Sequence, residues 1–429
     1  MDRDISAWIR RHRLLRVNKT PNTYGRKKEI LLRLYDLAMS GADIPAKPYI
    51  YESHQADIRQ MPDHGVILCD VHYWDIAMLV ASSFYIAPTY DVRKLADALA
   101  VDSLLCHGNP LQALHYARKF IRNPYVAAFN SLEHREVITG TVQMQVLFAL
   151  LHEKAHYIWD QPDHSLAMRL QEDLGKLIDS QNAVSRRINS LDLTPIKPYL
   201  DKIDKKSART FPEPENAEQI VIAANEQIFD VIFRHGHLVD CPDVQEQEKL
   251  ELLFYACDHY ICGTRAQLLP REEMLEEGVC DLLALTELLD MGLEGFSGAE
   301  CRMLAITGYI LALTTQNMIH SAMNLDKYAN GRGYAYVDTI YMRREKERLL
   351  LPLVLSAFNL LYDGPVSEEE AQVLGAYMDQ VCAVSDAMYA KFCDYLFSIE
   401  NTPGPFIPHG SEEWLALYRE INSLMQYPV

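Results

Sequence analysis

The feature that most constrains this chain is a helical segment that carries two histidines one turn apart. Between Thr141 and Asp160 there is no proline or glycine, and apolar residues recur at the spacing of an α-helix. Within this segment the pattern HEKAH puts His152 and His156 on one face, where both imidazoles can reach a single cation. Glu153 lies beside that face. The segment therefore predicts a helix that presents a metal-binding pair and a neighbouring carboxylate.

A third metal ligand must come from another part of the chain, because a catalytic zinc takes three protein ligands and keeps one position open. Residues 270–290 predict a second helix, with proline at its first turn and acids in its first half. Helical spacing places Glu277 and Asp281 on one stripe, whereas Glu276 points about 100° away from Glu277. Glu277 can therefore complete the site, and Asp281 can accept the second ring N–H of a ligand histidine.

These two segments resemble the gluzincin branch of the HExxH zinc metallopeptidases. In that family the glutamate of a downstream ExxxD pattern completes a His2Glu site, and the matching pattern here is EGVCD, which starts at Glu277. The resemblance implies that His152, His156 and Glu277 bind Zn²⁺. It also implies that Glu153 is the general base toward the water that the metal activates, and that Asp281 orients a ligand histidine.

Two features depart from the usual family pattern. Lys154 stands where the family usually has an apolar residue, which predicts either an exposed helix or a lysine paired with an acid. The stretch between His156 and Glu277 is also much longer than in compact members, which predicts an inserted subdomain.

Hydrolysis of a peptide bond also requires a donor to the oxyanion that develops opposite the metal. The loop from Asn330 and the segments around it are rich in suitable side chains, and the sequence does not choose among them. The candidates are Tyr334, Tyr336, His320, Tyr341 and Arg343.

Gluzincins hold an extended peptide along the edge of a small sheet, mainly by backbone hydrogen bonds. The best strand candidate is 66–71, a short β-branched run preceded by proline and glycine. If the resemblance holds, this strand or 334–337 supplies the edge.

Two further pairs have a spacing that metal ligands can adopt. His72 and Asp75 form an HxxD pattern after the predicted strand, and His235 and His237 form an HxH pattern in a predicted loop. We expect structural roles for both, because short isolated pairs of this kind are usually structural.

Composition bounds the class of protein. The chain has 429 residues, 49% hydrophobic residues and a net charge of −18, so it can form a large core, and nonspecific binding to nucleic acid or an anionic membrane is disfavoured. Nine cysteines without a CxxC pair predict free thiols in a reducing compartment. The first residues lack the layout of a signal peptide, and no apolar segment is long enough to span a bilayer. We therefore expect a cytoplasmic protein that does not contact membrane.

The predicted fold class is mainly α (α+β), with a helical metallopeptidase core, a small β-sheet and a helical insertion. The predicted organisation is an N-terminal helical region over 1–64, a zincin-like core over 65–330 with an insertion at about 163–265, and a C-terminal helical region over 331–429. The insertion is expected to act as a lid or to bind a regulatory partner, and its stretch 201–214 to be mobile.

Three functions are compatible with these residues. The first is a zinc metallopeptidase that hydrolyses protein or peptide substrates, and the second is a metal-dependent hydrolase of a non-peptide bond, which the same ligands permit. The third is a non-catalytic helical interaction or regulatory protein in which HEKAH occurs by chance. Metal content separates the third from the other two.

Overall fold

The computed structural model confirms a mainly helical fold with one small β-sheet. The residues that it describes are 2–12, 15, 21–40, 46–86, 92–122, 132–159, 165–203, 226–241, 245–262, 265–266, 268–269, 271–324, 349–362, 364–397, 399, 407–408 and 410–425. No described helix is long and apolar enough to cross a lipid bilayer.

Helices account for most of the described residues. Two of them, Leu132–Trp159 and Arg271–Asp290, cover nearly all of the segments 141–160 and 270–290 that the 3.6-residue periodicity predicts. The α-helices span Asp2–His12, Pro21–Ala38, Val71–Ile86, Arg93–Cys106, Pro110–Arg122, Leu132–Trp159, Ser165–Ser190, Lys197–Leu200, 226–235, Glu246–Cys262, Arg271–Asp290, Gly298–Met323, 349–361, Glu368–Phe397 and Glu412–Leu424, with 3-10 turns at Pro62–His64 and Gly236–Leu238.

The sheet has three strands in the order β1-β3-β2, with β1 at Lys47–Tyr51, β2 at Ile58–Met61 and β3 at Val66–Asp70. β3 runs parallel to β1 and antiparallel to β2, and every residue of β3 is buried. The expectation that this strand supplies the substrate-binding edge is wrong, because it has a neighbour on each side. The other expected edge, 334–337, lies outside the described residues.

Contacts divide the chain into two compact units. The first consists of Met1–His164, Val279–Ile340 and Leu350–Val429, and the second consists of Ser165–Gly278 and Tyr341–Leu349. The sheet belongs to the first unit. The second unit has its own apolar core, which includes Ile196, Leu200, Ile228, Ile232, Leu253 and Cys257.

The helix Leu132–Trp159, called the motif helix below, lies in the interior of the first unit. Its residues from 146 to 151 are all buried, as expected for a helix that is apolar on all sides. It packs on Gly298–Met323, Val71–Ile86 and Pro21–Ala38. The approach of Gly298–Met323 is close, because a Cβ on Gly308 would lie 2.5 Å from the Cβ of Met144. A side chain at Gly308 would therefore force these two helices apart.

Candidate metal centre

The two histidines of the motif project from the motif helix toward the same point. Their Nε2 atoms lie 3.1 Å apart, and both residues are buried, at 8% exposure for His152 and 9% for His156. Two nitrogen ligands at 2.0–2.1 Å from a tetrahedral zinc lie about 3.3 Å apart. The pair therefore has close to the separation that a shared zinc ion requires.

Asp281 fixes the tautomer of the first histidine. The Nδ1 atom of His152 lies 2.8 Å from Oδ1 of Asp281, so that the ring donates its Nδ1–H to the carboxylate and leaves Nε2 as the bare nitrogen. A zinc ligand must present a bare nitrogen. Asp281 thus prepares His152 to bind a metal through the nitrogen that faces His156.

Tyr309 lies beside the other oxygen of the same carboxylate. It lies on the helix Gly298–Met323, and its hydroxyl donates a hydrogen bond of 3.4 Å to Oδ2 of Asp281. Burial and the neighbouring negative charge of Asp281 raise the pKa of Tyr309 well above its usual value, so the hydroxyl stays protonated and remains a donor. No sequence pattern pairs Tyr309 with Asp281, so this contact could not be predicted.

Glu277 precedes Asp281 by one turn of the same helix, Arg271–Asp290, which we call the glutamate helix. One carboxylate oxygen of Glu277 and one nitrogen from each of His152 and His156 all lie within 4.8 Å of one another. Glu277 is exposed, so its side chain can rotate to shorten the remaining distance. Two imidazoles and a carboxylate form a donor set that suits zinc, and the residues present therefore fit the metal that the sequence predicts.

Glu153 is hydrogen-bonded to the sheet. Its Oε2 atom accepts a hydrogen bond of 2.6 Å from the backbone N–H of Gln60 in β2. A few residues on, the hydroxyl of Tyr157 donates to the backbone carbonyl of Val66 in β3 at 3.2 Å. These two bonds attach the motif helix to the sheet and place the carboxylate of Glu153 at the outer strand β2.

The thiol of Cys69 lies in the sheet near the same carboxylate. Burial and the negative charge of Glu153 raise the pKa of this thiol, which therefore stays neutral. Eight cysteines that the structure describes, Cys69 among them, form no disulfide.

No family model matches this chain. No curated protein matches it either, and no solved structure does.

The predicted oxyanion donors remain predictions. Tyr334, Tyr336, Tyr341 and Arg343 lie outside the described residues. His320 is described and exposed, near the end of Gly298–Met323. It follows Tyr309 by three helical turns, about 16 Å along the axis, which places it well beyond the contact between Tyr309 and Asp281.

The HxxD pair belongs to a buried polar network. Asp102 bonds Nδ1 of His54 at 2.6 Å and Nε2 of His72 at 2.7 Å through its two oxygens. Asp75 lies 3.6 Å from Nδ1 of His72 and forms an ion pair with Lys27. Burial raises the pKa of Asp75, but the charges of Lys27 and His72 outweigh it and the pKa is lowered. This network fastens the start of Val71–Ile86 to two other helices.

The HxH pair lies in the second unit, where the ring of His235 stacks on Tyr199 at 3.6 Å and His237 is exposed. Among the described residues, the group His152, His156 and Glu277 is the one set of three ligating side chains close enough to share an ion. Of the stretch 201–214, residues 204–214 are outside the described part, and the lid or partner role of 163–265 stays a prediction.

Proposed function

We propose that this protein is a zinc-dependent metallopeptidase in which His152, His156 and Glu277 hold Zn²⁺ and Glu153 is the general base. One observation carries the proposal. The glutamate of the ExxxD pattern and both motif histidines, which are distant in sequence, meet with their ligating atoms within 4.8 Å. A motif that arose by chance would not be expected to have a third ligand and an orienting aspartate in place.

Zinc in this site would lower the pKa of a bound water and polarise the carbonyl of the substrate. The protein's own residues supply the proton transfers and the orientation. Glu153 would take a proton from the water that attacks the substrate and pass it to the leaving amine. Its bond to Gln60 fixes the carboxylate in place, and Asp281 keeps Nε2 of His152 bare.

β2 is suited to hold an extended peptide beside Glu153. In an antiparallel pair, alternate residues direct their backbone N–H and C=O toward the partner strand and away from it. Gln60 directs its N–H to Glu153, and so Ile58, two residues earlier, also presents its polar groups outward. Pro62 follows β2 and has no N–H. Because the N–H of Gln60 is already bonded to Glu153, the groups that this short edge offers to a peptide are the N–H and C=O of Ile58 and the C=O of Gln60.

Replacing Gln60 with proline tests the bond between β2 and Glu153. Proline lacks the N–H but is tolerated on an outer strand where that N–H does not join the ladder. We expect kcat/KM for a peptide substrate to fall by about tenfold or more, while the zinc content stays unchanged. The matched control is Gln60→Ala, which keeps the N–H and should retain near wild-type kinetics. Equal losses in both variants would mean that the side chain, not the backbone, matters.

A peptide-library digestion followed by mass spectrometry tests the type of bond. We expect cleavage that a zinc chelator stops and that added zinc restores. Zinc-loaded protein that cleaves no peptide, but hydrolyses an ester or amide of another class, would support the non-peptide hydrolase instead.

A further inference from the structure

We infer that the ion pair between buried Lys154 and Glu287, whose side chain is 38% exposed, positions the glutamate helix and thereby sets the affinity of the metal site; this inference rests on the proposed function. Lys154 lies between the two motif histidines but takes no part in the metal-ligand group. Its ammonium is 2.6 Å from Oε2 of Glu287 on the glutamate helix. It also donates to the backbone carbonyl of Ala38 at 3.0 Å.

Lys154 joins three helices through these contacts. It belongs to the motif helix, Glu287 belongs to the glutamate helix, and Ala38 is the last residue of Pro21–Ala38. The final carbonyls of a helix have no partner within it and carry partial negative charge, so the ammonium satisfies one of them. Lys154 is only 4% exposed. A buried ammonium needs a partner, and Glu287 supplies the carboxylate that pairs with this one.

The ion pair complements the hydrogen bond between His152 and Asp281. Around the axis of the motif helix, the side chains of Lys154 and His152 point about 200° apart. Along the axis of the glutamate helix, Glu287 follows Asp281 by about 9 Å. The ion pair and the hydrogen bond therefore start on opposite sides of the motif helix. On the glutamate helix they end more than one turn apart. Buried apolar residues such as Val279, Leu285 and Leu288 pack the second half of the glutamate helix into the core. The two polar links add a fixed angle to this packing, since apolar contacts are not directional.

The angle of the glutamate helix matters because Glu277 is the one metal ligand on it, whereas both histidines lie on the motif helix. Glu277 precedes Asp281 by about 6 Å along the axis, so a tilt of about 10° about the bond to His152 moves its backbone by about 1 Å. Metal–ligand distances tolerate only about 0.2 Å. Rotation of the Glu277 side chain can bring its oxygen to the ion from the present backbone position, but a shifted backbone would require a less favourable side-chain conformation to reach the same point. Loss of the second link is thus expected to weaken zinc binding although no ligand has changed.

The test measures zinc affinity by competition with a chromophoric chelator, together with the thermal midpoint, in the full-length protein. Lys154→Met removes the ammonium and keeps an apolar side chain of similar length. We expect the zinc Kd to rise about tenfold or more, in the range seen when supporting residues of metal ligands are changed. The matched control is Lys27→Met, which breaks another buried ion pair, that of Lys27 with Asp75. Neither of these two residues lies on a helix that carries a metal ligand. The control variant should lower the thermal midpoint and leave the zinc Kd within twofold of wild type.

A second pair of variants separates positioning from stability. Glu287→Gln leaves the Lys154 ammonium buried without a carboxylate, and we expect it to lower both the thermal midpoint and the zinc affinity. Combining Lys154→Met with Glu287→Gln removes the unpaired charge and should restore much of the thermal midpoint, while zinc binding stays weak.

Two results would overturn the inference: a wild-type zinc Kd in Lys154→Met, or a zinc affinity that recovers together with stability in the double variant. Absence of zinc binding by the wild-type protein would instead overturn the proposed function itself.

Discussion

Replacing Glu277 with alanine should remove zinc from the purified protein. The two histidines alone supply two ligands, whereas a catalytic zinc site needs three. The residue is exposed, so its loss should not disturb the core, and the circular dichroism spectrum should match that of wild type. Metal analysis after purification without added zinc measures the effect.

The matched control for Glu277 is its neighbour Glu276, which is also exposed but points about 100° away on the helix. Glu276→Ala should keep its zinc. Asp281→Ala should keep the coordination but weaken zinc binding about 10–100-fold, because His152 loses the acceptor that fixes its tautomer. An empty site in Glu276→Ala with a filled site in Glu277→Ala would show that the ExxxD pattern was matched in the wrong register.

Glu153→Gln should nearly abolish peptide hydrolysis while zinc and fold remain. The glutamine keeps an oxygen that can accept the hydrogen bond from Gln60, so the link between the motif helix and β2 survives. It cannot take a proton from water, and loss of a general base typically lowers the rate about 10²–10⁴-fold. Steady-state kinetics at matched zinc content measure the effect.

The role of Glu153 depends on two results of that experiment. Zinc content should stay at the wild-type level, since the carboxylate serves the water and not the metal. Loss of zinc in Glu153→Gln would show that Glu153 is a ligand, and unchanged turnover would show that another group is the base.

The parts of the fold that could be predicted depend on local patterns. The motif helix and the glutamate helix follow from apolar spacing and from the absence of internal breakers. Helical phase alone places Glu277 and Asp281 one turn apart on the same side, and the structure has the hydrogen bond between Asp281 and His152 that this phase allows. The strand β3 could also be predicted, because it is a short β-branched run that follows turn signals.

The parts that were missed depend on contacts between distant residues. β2 has the sequence IRQM, with two polar residues in four and a proline directly after it, so it resembles a loop. Its strand conformation comes from pairing with β3, and strand formation is decided largely by such neighbours. As a result, the sequence offered 66–71 or 334–337 as the substrate-binding edge and did not offer β2.

The environment of Lys154 illustrates the same limit. The sequence allowed an exposed helix or a pairing with an acid, and the structure has the second. Several acids on the glutamate helix could have served, and only the three-dimensional packing selects Glu287. The contact of Tyr309 with Asp281 could not be predicted either. Tyr309 is one of many buried residues on the helix Gly298–Met323, and the sequence does not distinguish it from residues that only pack in the core.

The most direct test of the account is the zinc content of the wild-type protein, purified without added metal, beside that of the double variant His152→Ala with His156→Ala. Inductively coupled plasma mass spectrometry gives the number of zinc atoms per chain. We expect a value near one for wild type and near zero for the double variant. A wild-type protein without zinc that also fails to take it up, or a double variant that retains it, would contradict the assignment of the metal centre.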